Sequence, residues 1–276
     1  MNEIKLDCPY DQQYHAIISH NDYSFEFAKA HFQDYSNLLF LSDMGIKDTI
    51  NVACDYPSNV YGELPYYIWI ANNLRSQDWV SVHHYRRKAR LSLGLTLPNP
   101  ISFNVSMADH LSYCHSQKLT EAVMQTLEPM EQQIFVKANQ LIPYNMMNAQ
   151  VEFIQKEYLP YILNKITLLQ GLLGKDFKPD ETFFEPKEGK RVDEWYQNRV
   201  YAFAMERYTT LFFFTRNYGQ QFQEVKLLEK NQYILPSLYI HYNDSLNFIL
   251  FLRTNEHIPG CIFHPGIFMH KVTGFL

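Results

Sequence analysis

The hydrophobic and polar positions of the first ninety residues alternate between strand-like and helix-like patterns. Short apolar runs lie at residues 15–19 and 37–42, and polar residues follow each run. Residues 25–32, between the two runs, have the pattern of a short helix. Strands that alternate with helices are typical of an α/β fold with a mostly parallel sheet.

The pattern is clearest in residues 61–87, around which the rest of the chain can be arranged. One apolar helical face is formed by Leu64, Tyr67, Ile68, Ala71 and Leu74. Pro65 fits this helix if it lies in the first turn, where the missing N–H is not needed. Residues 79–82 then form a short apolar strand, which ends in the polar sequence HHYRR, residues 83–87.

The polar end of this strand is the first candidate binding site. In α/β proteins, ligands bind beyond the carboxyl ends of the strands. Arg86 and Arg87 carry permanent charges and a fork of donors that matches phosphate oxygens, so the segment could hold a phosphorylated ligand with help from His83 and His84. A solvent-exposed basic turn is the alternative interpretation of the same residues.

The middle of the chain has mainly helical patterns. Helices are predicted over residues 107–115, 117–127, from Pro129 onward, and over residues 148–173, where Pro160 should bend or divide the helix. His110 and His115 could approach each other, but without a carboxylate ligand they are weak evidence for a metal site. A polar loop at residues 48–61 and a charged loop at residues 174–191 are candidate mobile or substrate-binding segments.

The last strong helix is predicted over residues 193–214, with Asp193 as its N-cap. Arg199 and Glu206 are seven residues apart on one face, which favours a structural ion pair. After residue 235 the pattern changes to short strand-like runs. We therefore expect one domain over residues 1–235 and a β-rich extension over residues 236–276 that packs on it.

Composition and charge narrow the possible functions. The net charge of −5 and pI near 6.1 disfavour broad, sequence-independent nucleic-acid binding, although a local basic groove near Lys88 and Arg90 is compatible with them. The four cysteines are scattered and form no CxxC pair, which favours free thiols in a reducing compartment. No signal peptide or transmembrane segment is visible, so a cytoplasmic location is expected.

Several segments between residues 15 and 214 resemble, in order, the motifs of a bacterial protein family. The matching segments are HAIISHNDY, DTINVACDYPSNVYGELPYYIWIANN, DWVSVHHYRR, PYNMM and NRVYAFAMER. The family is described only as a domain of unknown function, is linked to capsular polysaccharide and exopolysaccharide biosynthesis, and is regarded as a group of glycosyltransferases. Pro65, His83 and Ala202 stand where the family pattern has Thr, Cys and Gly, which indicates a distant relative.

The resemblance implies a GT-A-like α/β domain with a helical second half, and transfer of a sugar from a nucleotide-diphosphate donor, predicted to be a UDP-sugar, to a glycan or another hydroxyl acceptor. It also implies a set of donor-binding residues by their positions in the motifs. These residues are His20, Asp48, His84, Tyr85, Arg86, Arg87, Asn145, Arg199 and Arg207.

The resemblance leaves the metal and the general base open. Arg86 and Arg87 could neutralise the donor diphosphate, or Mn²⁺ or Mg²⁺ could do so on Asp48, Asp55 or Glu63. A base that receives the acceptor proton is needed if the transfer inverts. Glu63 and Glu206 are the candidate catalytic carboxylates and Asp193 is a further candidate. We prefer Glu63, since Glu206 could instead hold Arg199 or Arg207.

Two other functions fit the same sequence. A transferase of the type that glycosylates modified bases in bacteriophage DNA would keep the chemistry and change the acceptor to DNA. A non-catalytic module that binds a nucleotide or a glycan would use the high aromatic content, 16% of the residues. The His, Arg and Glu residues grouped at predicted strand and helix ends favour an enzyme over such a module.

Overall fold

The computed structural model describes the chain over residues 12–89, 99–100, 106–138, 141–142, 145–179, 194–216, 225–227, 239–240 and 250–251. Four of its strands form a parallel sheet. They are β1 (Gln13–Ile18), β2 (Leu38–Ser42), β3 (Ile50–Asn51) and β4 (Trp79–His84). Their spatial order is β3-β2-β1-β4, so their carboxyl ends meet at one edge of the sheet.

Shorter antiparallel strands extend the sheet beyond β4. They are β5 (Arg87–Ala89), β6 (Asn99–Pro100), β7 (Met147–Gln150) and β8 (Val225–Leu227). Both β7 and β5 pair with β4, the former beside its first half and the latter at its carboxyl end. β6 then pairs with β7, and β8 with β5. The expected mostly parallel α/β sheet is therefore confirmed, with an antiparallel margin.

Helices flank this sheet on both faces. They are α1 (Asp22–His31), α2 (Ser58–Tyr61), α3 (Leu64–Asn73), α4 (Met107–Cys114), α5 (Gln117–Gln125), α6 (Pro129–Lys137), α7 (Val151–Phe153), α8 (Leu159–Leu173), α9 (Glu194–Gln197) and α10 (Val200–Thr215). Side chains alternate along a strand, and the faces of β1 differ accordingly. Ala16 and Ile18 join the large core with α3, α8 and α10, whereas Ile17 packs with Ala28 of α1 and with Phe32, which follows that helix.

Two predicted helices, over residues 148–173 and 193–214, differ in part from the expectation. Residues 148–150 are not helical, because they belong to β7 and pair with residues 79–81 of β4. The division near Pro160 is confirmed: a π-helical turn, Ile154–Tyr158, precedes α8, and Pro160 lies in the first turn of α8. The single helix predicted over residues 193–214 is two helices, α9 and α10, which are separated at Asn198 and Arg199.

The structure describes only part of the segment for which a β-rich extension was predicted. Residues 239–240 and 250–251 form a pair of antiparallel strands, β9 (Tyr239–Ile240) and β10 (Leu250–Phe251). The rest of the predicted extension, the Asp193 cap and most of the charged loop lie outside the described residues. The domain boundary at residue 235 stays a prediction. In the described part of the chain, no helix has the length and apolar character needed to cross a membrane.

Gly62 connects α2 to α3 in a conformation that other residues adopt at a cost. Its φ is +60°, and a Cβ atom added there would lie 2.9 Å from the Cβ of Ala202 in α10. We expect Gly62→Ala to lower the free energy of unfolding by about 2–4 kcal/mol, from left-handed strain of about 1–2 kcal/mol and from overpacking. Gly45→Ala is the matched control in urea denaturation, since Gly45 has φ +68° and open space around it. Equal losses in both variants would contradict the contact with Ala202.

Candidate active site at the carboxyl ends of the parallel strands

The HHYRR segment forms the end of β4 and a tight turn. His84 lies opposite Arg87 in the pairing of β4 with β5, so Tyr85 and Arg86 are the two residues of the connecting turn. The Arg86 amide donates to Nδ1 of His84 over 3.4 Å, and its guanidinium carbon lies 5.2 Å from the centre of the Tyr85 ring. The side chain of Arg87 lies outside the described residues. The expected strand end is confirmed, and Arg86 lies in the turn.

His20 follows the neighbouring strand β1 and lies against the same turn. Its ring centre is 5.9 Å from that of His84, 6.3 Å from that of Tyr85 and 6.5 Å from that of Tyr66 in α3. Its backbone N–H donates to Oγ of Ser24 over 2.8 Å, which ties it to the capping box at the start of α1. The adjacent parallel strands β1 and β4 therefore contribute His20, His84 and Tyr85 to one cluster.

Asp43, directly after β2, is a site residue that the sequence interpretation missed. Its carboxylate accepts from the amide and the hydroxyl of Ser58, both over 2.6 Å, and from the Tyr66 hydroxyl over 3.1 Å. It also acts electrostatically on His20. A signal was available, since Asp43 is the first carboxylate after the apolar run at residues 37–42, and strand ends are where ligands bind in such sheets.

Glu63 is buried at the start of α3 with only 3% of its surface exposed. Its carboxylate accepts from Nδ2 of Asn145 over 2.7 Å. Asn145 has φ +47° and is held from two more sides: Thr209 donates to its Oδ1 over 2.6 Å, and the Tyr67 hydroxyl donates to its carbonyl. Sequence analysis did not identify Thr209 or Tyr67 as site residues, although both hold the asparagine that binds Glu63.

Burial raises the pKa of Glu63, because a carboxylate loses its hydration in the interior. Arg199 and the amide of Asn145 act in the opposite direction, and the charge of Glu206 adds to the increase. Arg199 flanks the first turn of α10 at the break after α9, and its charge acts on both Glu63 and His20. Arg199, at a helix break that the sequence pattern did not predict, therefore supplies a positive charge that acts on both His20 and Glu63.

Glu206 and Arg207 continue the site into the interior. Arg207 is fully buried, and its Nη1 donates to the Glu206 carboxylate over 2.9 Å and to the Phe203 carbonyl over 3.0 Å. Its Nη2 lies 2.5 Å from Nδ1 of His110. Arg207 thus has partners within the protein, and Glu206 pairs with it as the sequence interpretation allowed.

The three carboxylates considered for a metal do not form a common site in the described part of the chain. Asp48 and Asp55 are exposed, Asp48 with φ +62° in the turn before β3, whereas Glu63 is buried. Among the described residues, no group of three or more His, Cys, Asp or Glu side chains is arranged to hold a metal ion. His115 contacts the Gln197 carbonyl and His110 contacts Arg207, so each has a partner within the protein. The role of Asp48 in donor binding stays a prediction.

Replacing Thr209 by valine tests the support of Asn145. Thr209 also shares a hydrogen bond of 2.8 Å with the Tyr158 hydroxyl, so its loss leaves two buried polar groups unsatisfied. We expect Thr209→Val to lower the free energy of unfolding by about 1–3 kcal/mol. Thr209→Ser keeps the hydroxyl and is expected to lose less than half of that amount in the same denaturant titration. Indistinguishable stabilities of the valine variant and the wild type would contradict the network.

Stability should fall in mild acid because two histidines are held neutral. Burial, together with Arg199 and Arg86, lowers the pKa of His20 to about 4, and burial with Arg207 lowers that of His110 to about 4. The ordinary value is about 6.5, so between pH 6.5 and 4 the unfolded chain binds more protons and stability decreases as the pH falls. The raised pKa of Glu63 acts in the opposite direction. We expect His110→Gln to reduce this pH slope in thermal melts; an unchanged slope would contradict it.

Comparison with known proteins supports the fold. No family model matches the chain, and no curated protein matches it. Among solved structures, the chain is similar to the apo structure of the WbbM bifunctional glycosyltransferase, with a TM-score of 0.54 and 12% sequence identity. The similarity covers 85% of this chain but 48% of that protein, so the chain spans about half of its length. The architecture of this chain is therefore an α/β fold similar to that of a glycosyltransferase.

Proposed function

We propose that this protein is a nucleotide-sugar-dependent glycosyltransferase of the GT-A type. The observation that carries the proposal is the cluster at the carboxyl ends of β1, β2 and β4. Arg86 and Arg199 act electrostatically on His20 there, and Arg199 also acts on a buried carboxylate, Glu63. This is the edge of a parallel sheet at which α/β proteins bind ligands. The similarity of the fold to a glycosyltransferase is in agreement with it.

The charges of the cluster suit the leaving group of such a reaction. In glycosyl transfer, the acceptor oxygen forms a bond to the anomeric carbon while the bond from that carbon to the diphosphate oxygen breaks, and the diphosphate leaves with the electron pair. Arg86 and Arg199 would stabilise this negative charge, as positioned cations do in phosphoryl sites. Both cations lower the pKa of His20, whereas the Asp43 carboxylate raises it.

The proton of the acceptor hydroxyl needs a base, and we assign it to Glu63. A carboxylate with a raised pKa is a better proton acceptor near neutral pH than an ordinary one. Glu206 is assigned the role of orienting Arg207, in line with their hydrogen bond of 2.9 Å. Asn145 holds the Glu63 side chain, and we place Asp48, Tyr85, His84 and Arg87 in the donor site by the sequence resemblance.

The two other functions remain distinguishable by experiment. A DNA acceptor would need a basic groove near Lys88 and Arg90, and the net charge of −5 disfavours DNA binding. A glycan or another hydroxyl acceptor is therefore the function we prefer. DNA that stimulates donor turnover would reverse this preference. A non-catalytic binding module would bind the nucleotide but never release the sugar from a nucleotide-sugar.

A thermal-shift screen tests the proposal. Purified protein is heated with UDP, GDP, CMP or dTDP, each with and without Mn²⁺ or Mg²⁺, and with the matching nucleotide-sugars. We expect a rise in melting temperature with one nucleoside diphosphate, since a ligand that binds only the folded state stabilises it. Arg86→Ala should remove the shift and keep the melting temperature of the free protein. No shift with any nucleotide would overturn the proposal.

A further inference from the structure

A cluster of polar side chains surrounds the thiol of Cys114, the last residue of α4. Cys114 is a half-buried free cysteine, and its sulfur lies 3.3 Å from Nε2 of His110, one turn earlier in the same helix. The other ring nitrogen of His110, Nδ1, lies 2.5 Å from Nη2 of Arg207 in α10. Cys114, His110 and Arg207 therefore form a chain of hydrogen bonds between two helices.

The donors and acceptors of this chain define the tautomer of His110. A guanidinium nitrogen can only donate, so Nδ1 of His110 must carry the lone pair that accepts from Arg207. The ring is held neutral, since burial and the charge of Arg207 lower its pKa to about 4. A neutral imidazole with an unprotonated Nδ1 carries its proton on Nε2. His110 therefore donates to the sulfur of Cys114, which makes the sulfur an acceptor.

Tyr196 and Arg207 also favour negative charge on the sulfur of Cys114. The hydroxyl of Tyr196 in α9 hydrogen-bonds to Cys114, and the fully buried guanidinium of Arg207 lies within electrostatic range of it. Nε of Arg207 is buried and has no hydrogen-bond partner among the described residues, so the cation has capacity for another acceptor. The Glu206 carboxylate opposes these effects, but it accepts from Nη1 of the same guanidinium over 2.9 Å.

Cys54, the other described cysteine, lies near carboxylates instead of near a cation. It is exposed in the loop before α2. Burial of its sulfur raises the pKa of the thiol, the backbone N–H of Tyr56 lowers it, and the carboxylates of Asp43 and Asp55 raise it further. Of the two described thiols, Cys114 therefore lies among hydrogen-bond donors and a cation, whereas Cys54 is more exposed and lies among anions.

We propose that Cys114 is a reactive thiol and a site of covalent modification, in which His110, Tyr196 and Arg207 stabilise the thiolate. Thiolates rather than thiols attack electrophiles, and nearby donors and cations increase their population. With a hydroperoxide as oxidant, the sulfur attacks one peroxide oxygen and the O–O bond breaks. The second oxygen leaves with the electron pair and takes up a proton, so the sulfur becomes a sulfenic acid while the peroxide is reduced by two electrons. This assignment does not depend on the proposed transferase activity.

Competitive alkylation within one molecule tests the proposal. Cys8 and Cys261 are replaced by serine, and the full chain with Cys54 and Cys114 is treated with iodoacetamide between pH 5.5 and 9. Peptide mass spectrometry then gives the rate at each cysteine. We expect Cys114 to react about ten times faster than Cys54 at pH 6.5, although Cys54 is more exposed, and its rate to level off at a lower pH. A faster reaction of Cys54 at pH 6.5 would overturn the proposal.

Two substitutions of His110 separate a tuned thiol from one that is merely accessible. His110→Gln retains an amide that can accept from Arg207 and donate to the sulfur, and it should keep most of the rate at pH 6.5. His110→Leu removes both bonds and should lower that rate about tenfold, with the levelling-off moved to higher pH. Both proteins are first checked for an unchanged circular dichroism spectrum. Equal alkylation profiles of the leucine variant and its parent would show that His110 does not tune Cys114, which contradicts the assignment.

Discussion

Exchange of Glu63 for glutamine is expected to lower the turnover number for sugar transfer by about 10²- to 10⁴-fold, the range typical of a lost general base. Glutamine has the same shape and keeps an oxygen that can accept from Nδ2 of Asn145, now 2.7 Å from the carboxylate. It cannot accept a proton from the acceptor hydroxyl. The expected loss therefore isolates the proton transfer from the packing of the site.

Stability and binding serve as controls for this prediction. Because burial raises the pKa of Glu63, its ionised form is unfavourable in the folded state, and Glu63→Gln should melt at the wild-type temperature or above it. The thermal shift caused by the nucleoside diphosphate should persist. Asp55→Asn, a change at an exposed carboxylate, should leave the turnover unchanged. If Glu63→Gln keeps a turnover within about threefold of the wild type, another group is the base.

The pH profile gives a second test of the same assignment. A base must be ionised to accept a proton, so the acidic limb of the turnover profile should lie above the pH at which an ordinary glutamate titrates, about 4.3. Arg199 favours the ionised form. Removal of this cation, in Arg199→Gln, should shift the limb to higher pH, which a purely structural role of Arg199 would not do. An acidic limb at the same pH in both proteins would contradict the electrostatic role of Arg199.

The sequence predicted the parallel strands well because each longer strand is a short apolar run that polar residues follow. The apolar runs at residues 15–19, 37–42 and 79–82 are short, and polar residues follow them. The strands could therefore be inferred, and so could the positions of His20, His84 and Arg86 after the first and the third run. Those inferences needed only the chemistry of neighbouring residues. The same reasoning also selects Asp43, since Asp43 directly follows β2.

Other parts of the site depend on contacts that are distant in the sequence. Residues 148–150 continue a helical pattern, yet they form a strand because β4 offers an open edge at residues 79–81. The break at Arg199 and the left-handed conformation of Asn145, which donates to Glu63, are likewise absent from the local sequence pattern. In such places tertiary contacts override the local preference of the chain for helix or strand. The hydrophobic pattern of a single sequence does not show which distant residues make those contacts.

A buried ion pair between two helices, which is not part of the proposed site, carries the largest expected effect on stability. Lys165 of α8 and Glu131 of α6 lie 2.5 Å apart, and their side chains are 4% and 7% exposed. Lys165 also donates to the Thr126 carbonyl over 2.9 Å, and the Tyr161 hydroxyl donates to Glu131 over 2.6 Å. These hydrogen bonds lower the pKa of Glu131 despite its burial, so the carboxylate is ionised in the folded protein.

Replacement of Lys165 by methionine should lower the free energy of unfolding by about 3–5 kcal/mol at pH 7, because it leaves the Glu131 carboxylate buried without a cation. The double variant Lys165→Met/Glu131→Gln should recover most of this loss, since no unpaired charge remains. Lys156→Met is the matched control: Lys156 pairs with Glu152 on the surface, with side chains 70% and 45% exposed, and its loss should cost less than about 0.5 kcal/mol. Urea denaturation of the three variants measures these differences in the free energy of unfolding. A double variant as unstable as Lys165→Met would mean that the loss comes from packing rather than from the unpaired charge.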